Sequence, residues 1–167
     1  YGHRLRRRNG NCYDFFGTDY EFPDGVHIHS MARQVTGCWS RIGQLFRGDR
    51  GLADVTGLVF ADRVYVGPAD RKSPMDLGRW ERTPTSYVRE HMDLIRSVLE
   101  GNPINEAQAI AESTLTAVMG RMSAYSGQMV TWDEMMASSF RCSPAPEDWE
   151  NGTVKMPPEE APVPGKG

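Results

Sequence analysis

Between Asn11 and Gln34 apolar and polar residues alternate on either side of Pro23-Asp24-Gly25. A period of two suits a strand and not a helix, because successive strand side chains point to opposite faces. Cys12, Phe16, Thr18, Tyr20 and Phe22 share one face, and Val26, Ile28 and Ala32 resume it beyond the break. Proline presets φ and glycine accepts a left-handed conformation, so the break predicts a turn and the whole segment a β-hairpin. A three-residue loop sets its register: Phe22 lies opposite Val26, Tyr20 opposite Ile28 and Phe16 opposite Ala32. The other face then pairs Glu21 with His27 and Asp19 with His29.

Further strands are predicted over 38–46 and 52–60, joined by the Gly48-Asp49-Arg50-Gly51 turn, and a short one at Val64-Tyr65-Val66 after a turn at 61–63. Residues 67–82 hold Pro, Gly and charge and read as a loop. Two helices follow. Thr83 caps the first, with Pro84 at a position where its missing N–H costs nothing, and Gly101 ends it. Its apolar side carries Tyr87, Val88, Met92, Leu94, Ile95, Val98 and Leu99. Asn105 is expected to cap the second, with Gln108 in the capping-box position. Its stripe runs Ala107, Ile110, Ala111, Leu115, Val118, Met119 and Met122 to Gly127. A short strand at 128–130 precedes a third helix over 132–138, opened by a Thr131/Glu134 capping box. Strands first and helices after predict an α+β class, a mostly antiparallel sheet with helices packed on one face.

These elements give three segments: a basic stretch over 1–10, an α+β domain over 11–142, and a Pro-rich tail over 143–167 with no expected regular element. A chain of 167 residues that is 39% hydrophobic supports a core. No apolar run reaches the roughly 20 residues of a membrane helix, so no membrane partner is expected. The net charge of -3 argues against a general nucleic-acid partner, despite the local run Arg4, Arg6, Arg7 and Arg8. Three cysteines without C-x-x-C spacing disfavour a disulfide framework or zinc ribbon. The chain starts at Tyr1, with no charged-then-apolar leader, which implies a removed leader or a piece of something longer. A soluble protein is expected, cytoplasmic or exported, with the compartment left open.

Few side chains suggest chemistry by themselves. His27 and His29 share a strand face beside Asp19 and Glu21, a set that can ligate a divalent ion. A solvated face with cross-strand ion pairs is the expectation, and no metal site is assigned. Arg47-Gly48-Asp49 matches an integrin-binding tripeptide, but these are also turn residues, and Asn151-Gly152-Thr153 is a sequon without a secretory context. Cys12, Cys38 and Cys142 read as structural thiols, and His91, beside the first helix's stripe, as a partly buried, hydrogen-bonded histidine. The Met119, Met122, Met129, Met135 and Met136 cluster suits irregular packing at a helix–sheet junction. The chain has no G-x-G-x-x-G, P-loop, H-E-x-x-H or G-x-S-x-G motif, so no catalytic and no cofactor-binding residue is assigned.

Two stretches add a family resemblance. Tyr87-Val88-Arg89-Glu90-His91-Met92-Asp93-Leu94-Ile95 is followed by Gly101-Asn102-Pro103-Ile104-Asn105-Glu106, and further on by Ala111-Glu112-Ser113-Thr114-Leu115 through Gly127. Together they resemble the end of the C-terminal domain of the Gfo/Idh/MocA oxidoreductases, the glucose–fructose oxidoreductase and inositol dehydrogenase type. Tyr13-Asp14-Phe15, Asp19 through Val26 and the Gly48–Gly51 turn resemble that domain's sheet, and Ala161-Pro162-Val163-Pro164-Gly165 resembles the ends of one subgroup. The resemblance runs along most of 11–138.

The resemblance implies a mostly antiparallel sheet with helices on one face and an open face that meets another subunit. Tyr13, Phe15 and Met31 are the implied interface residues of a homo-oligomer. It also implies a parent enzyme that uses NAD or NADP through an N-terminal Rossmann domain, with a Glu-Lys-Pro motif there and an Asp/His pair early in the second domain. None of these motifs occurs here. The stretch 33–40 matches the region that approaches a sugar or polyol, so Arg33 and Gln34 are candidates to bond hydroxyls and Trp39 to stack on a sugar face. Ala32 stands where many relatives have Cys. Two function classes follow: the substrate-side and oligomerisation domain of an NAD(P)-dependent sugar or polyol oxidoreductase, or a stand-alone carbohydrate-binding or scaffold domain without the chemistry.

Overall fold

The computed structural model describes residues 1–5, 10–56, 63–68, 75–76, 86–141, 143–156 and 158–165. In chain order its elements are β1 (Gly2–His3), β2 (Phe15–Phe22), β3 (Val26–Arg33), β4 (Gly43–Arg47), β5 (Leu52–Thr56), β6 (Arg63–Gly67), β7 (Met75–Asp76), α1 (Ser86–Leu99), α2 (Ala107–Ser126), α3 (Trp132–Ala137) and α4 (Pro146–Glu150). The class is α+β, with two small antiparallel sheets in place of the one large sheet expected. The chain divides into two compact units, residues 1–37 with 106–167, and residues 38–105. The division runs through the stretch 11–142 expected to be one domain, and both terminal segments belong to the first unit.

In the first unit the sheet order is β1-β2-β3. The β2–β3 hairpin has the register derived from the sequence, Phe22 opposite Val26 through Phe15 opposite Arg33. Its turn places both Asp24 (φ 64°) and Gly25 (φ 71°) in the left-handed region, which aspartate tolerates better than most residues. The basic N-terminal stretch contributes a strand, with Gly2 opposite Phe16 and His3 opposite Phe15.

Helix α2 lies on the face bearing Phe16, Thr18 and Tyr20. Gly120 is what permits the approach: a Cβ there would collide with the Tyr20 hydroxyl and lie 3.1 Å from Thr18 Cγ2. Tyr20 Oη donates to the Thr116 carbonyl at 3.1 Å. Ala124 is fully buried, and Met135 of α3 is buried as well. The helix begins one residue later than an Asn105 cap implies. Glu106 holds the N-cap position without a side-chain cap bond, and Gln108 donates to Glu112 at 2.8 Å. Gly127, at φ 72°, closes it through an N–H to the Ser123 carbonyl. The predicted strand at 128–130 does not form. The capping box of α3 does: the Glu134 N–H donates to Thr131 Oγ1 at 3.2 Å and the Thr131 N–H to Glu134 Oε2 at 2.8 Å.

The tail departs from the expected absence of regular structure. Pro146 starts α4, where proline's missing N–H is one of the helix's unpaired donors anyway.

The second unit has sheet order β4-β5-β6-β7. The 48–51 turn is present, closed by the Gly48 N–H on the Gly51 carbonyl at 2.8 Å. Strand β4 is shorter than predicted, because residues 38–42 stay outside it, and the predicted loop 67–82 contributes β7, which pairs with β6. Helix α1 ends in a Schellman motif: Asn102 N–H meets the Ser97 carbonyl, Gly101 N–H meets that of Val98, and Gly101 has φ 65°. Among the described residues the expected packing of α1's stripe on a sheet is not seen. Val88, Ile95, Val98 and Leu99 are all exposed, Leu99 at 81%. Periodicity shows that a helix segregates its apolar residues; it does not say what covers them. The Thr83–Pro84 cap, the turn at 61–62, the end of the strand predicted over 52–60 and Cys142 lie outside the described residues.

Candidate functional site

The side of the first sheet away from α2 carries the polar set singled out from sequence. Asp19 sits opposite His29 and diagonal to His27. Its carboxylate meets both imidazoles: His29 Nδ1 is 3.0 Å from Oδ1, and His27 Nδ1 is 3.1 Å from Oδ2. His27 is hydrogen-bonded to the carboxylate through Nδ1 and His29 lies at ion-pair distance, with the ring centroids 6.2 Å apart. All three side chains are well exposed, where such ion pairs contribute a fraction of a kcal/mol. Among the described residues no group of three or more His, Cys, Asp or Glu side chains is arranged to hold a metal ion.

Of the three proposed interface residues, Met31 is 81% exposed, Phe15 is half-buried, and Tyr13 is buried at 4%. Tyr13 therefore does not belong to an exposed patch. Its ring meets Tyr125 edge-on at 4.4 Å and Phe16 at 5.6 Å. Its backbone N–H donates to Tyr125 Oη at 3.3 Å, and its hydroxyl donates to the Pro162 carbonyl at 2.5 Å. Alternation identified a strand residue here, but α2 packs on its ring and a tail nearly 150 residues away takes its hydroxyl.

The three candidate sugar-contacting residues fall in different units. Arg33 ends β3, and Gln34, just beyond, holds its backbone N–H on the Asp14 carbonyl at 2.8 Å; both side chains are exposed. Trp39, 76% exposed, belongs to the second unit.

His91 is hydrogen-bonded as expected, with Nδ1 2.6 Å from the Tyr87 carbonyl, but it is exposed and not partly buried. Cys12 is half-buried and Cys38 exposed, so Cys38 is not a buried structural thiol. Arg47 ends β4 and Gly48 and Asp49 lie in the β4–β5 turn, all three exposed, and the sequon Asn151 follows α4. Both described sheets are antiparallel throughout.

Sequence reasoning passed over the aromatic and acidic groups beneath the N-terminal arm. Asp14 is buried and accepts from the Leu5 N–H at 2.7 Å. Arg121 lies 5.0 Å over the Tyr125 ring. Burial, with the Tyr125 phenol a smaller contributor, pushes the Tyr13 phenol above its ordinary value, and burial alone does so for Tyr20. The Thr131 backbone N–H, then its hydroxyl, holds the Glu134 carboxyl below the usual range. The Arg121–Tyr125 spacing of four residues on a helix was the one signal available in sequence.

Comparison with protein-family models, with curated proteins and with solved structures found no match to this chain.

Proposed function

We propose that the chain is the substrate-side and oligomerisation part of an NAD(P)-dependent sugar or polyol oxidoreductase of the Gfo/Idh/MocA type, with nicotinamide binding and hydride transfer supplied by a Rossmann domain outside this sequence. The observation that carries the reading is the residue resemblance over 87–106 and 111–127. In its favour also stands an antiparallel sheet with α2 on one face and a polar, open face bearing Met31, His27 and His29 on the other.

On this reading Arg33 and Gln34, both in the first unit, donate to substrate hydroxyls. Phe15 and Met31 supply apolar contact to a second subunit, and Asp19, His27 and His29 form a polar rim that sets register more than affinity. Backbone and side-chain NMR of the isotopically labelled chain tests it. Cyclic polyols and aldoses are expected to shift the Arg33 and Gln34 resonances in a saturable way, while NADH leaves the spectrum unchanged. Saturable micromolar NADH binding, or a panel of sugars that moves neither residue, overturns the reading.

A further inference from the structure

The two ends of the chain meet in the first unit, and the way they meet has a chemical logic independent of the function proposed above. Tyr13 is buried, so its hydroxyl needs a partner, and the Pro162 carbonyl is that partner at 2.5 Å. The Ser126 carbonyl is one of the last of α2 and lacks a helical donor; the Gly165 N–H supplies one at 2.9 Å. Between these two bonds the chain crosses Gly127, where a Cβ would lie 3.0 Å from both Pro164 Cβ and the Gly165 nitrogen. The absence of a side chain at Gly127 therefore serves the crossing as well as the left-handed cap. Nearer the N-terminus, Arg4 Nη1 donates both to the Gly10 carbonyl at 2.5 Å and to the Glu159 carbonyl at 2.7 Å. The same arm is held by the Leu5 N–H on Asp14 and by paired bonds between Tyr1 and Gly17.

We infer that residues 159–165 are a strap seated in a groove built by Tyr13, Ser126 and Gly127, and that this strap and the N-terminal arm form one clasp that opens and closes together. The seat recognises a proline-bearing segment by its backbone, the Pro162 carbonyl on the Tyr13 hydroxyl and the Gly165 N–H on the Ser126 carbonyl. Pro162 and Pro164 suit such a seat because their fixed φ leaves less conformational freedom to lose on docking. The occupant is this chain's own end. The arm belongs to the same device because Arg4 bridges arm and strap, and because the strap holds the hydroxyl of the ring on which Gly2 packs: a Cβ on Gly2 would clash with Tyr13 Cδ2.

The test keeps the whole chain. A protease recognition sequence is inserted between Lys155 and Met156, both exposed, and the folded protein is nicked there. The carboxyl-terminal piece is expected to remain bound on gel filtration and to be displaced by excess synthetic peptide covering 156–167. Displacement is expected to speed amide exchange at Leu5 and Gly17, and to leave the interior amides of α2 unchanged. Tyr13→Phe keeps the ring and removes the hydroxyl. It is expected to release the nicked piece up to about tenfold faster, the effect of one buried hydrogen bond. A piece that leaves on nicking, or exchange at Leu5 and Gly17 that does not respond to its displacement, overturns the clasp. Should Tyr13→Phe fail to fold, the nicked natural chain decides the matter alone.

Discussion

Single side chains illustrate how location decides weight. Asp19, exposed between His27 and His29, makes two short contacts that water largely screens. Asp19→Asn is therefore expected to change stability by less than about 1 kcal/mol in urea denaturation. Glu134 has a different sign of consequence at low pH. Its folded carboxyl is held below its ordinary value by Thr131, so the stabilisation is present above that value and is lost as pH falls through the depressed one. Acid titration should therefore loosen α3, seen by NMR, in the natural chain and not in Thr131→Ala, where the cap is already gone. The tyrosines act at the other end of the scale. Tyr13 and Tyr20 are raised, so their contribution is complete below the ordinary phenol value and declines as pH rises through the folded one. Thermal melts should therefore fall in midpoint above pH about 10, and Tyr13→Phe should remove part of that fall.

At the scale of elements, close approach governs α2 and its absence governs α1. Gly120 lets the α2 backbone come down on Tyr20 and Thr18. Gly120→Ala would raise intrinsic helix propensity by about 1 kcal/mol, yet the added methyl meets the Tyr20 ring. Overpacking is expected to win, with a net loss of about 1–2 kcal/mol measured by denaturant midpoint. Leu115 is half-buried, so Leu115→Ala should cost less than the roughly 2–5 kcal/mol of a fully buried leucine. Leu99→Ala, on the exposed side of α1, should stay within about 0.5 kcal/mol. A large loss at Leu99 would show that a partner covers that helix in solution. The hairpin register, the α3 capping box and the Gly101 and Gly127 stops were legible because each rests on neighbours in sequence. The Asn105 cap was not, since Asn105, Glu106 and Gln108 offer competing starts within one turn.

For the whole molecule, the open face of the first sheet is where association is expected. Phe15→Glu should dissociate any oligomer that uses this face in sedimentation of the purified protein, and an assembly that survives it uses another surface. The order of residues was enough for the α+β class, the β2–β3 pairing with Asp19 beside His27 and His29, the Thr131–Glu134 capping box and the Gly101 and Gly127 stops. Each is a matter of periodicity or of bonds between residues a few positions apart, which the order of residues specifies directly. Only the tertiary structure decided that the strands split into two sheets and that Tyr13 is buried. It likewise decided that the Pro-rich end is docked and that α1 keeps its apolar side open. Those outcomes depend on contacts such as Tyr13 with Pro162, 149 residues apart, and on whether Gly120 lets two surfaces meet. An apolar stripe states that a face must be covered, whereas the identity of its cover follows from which distant surface fits it at van der Waals distance.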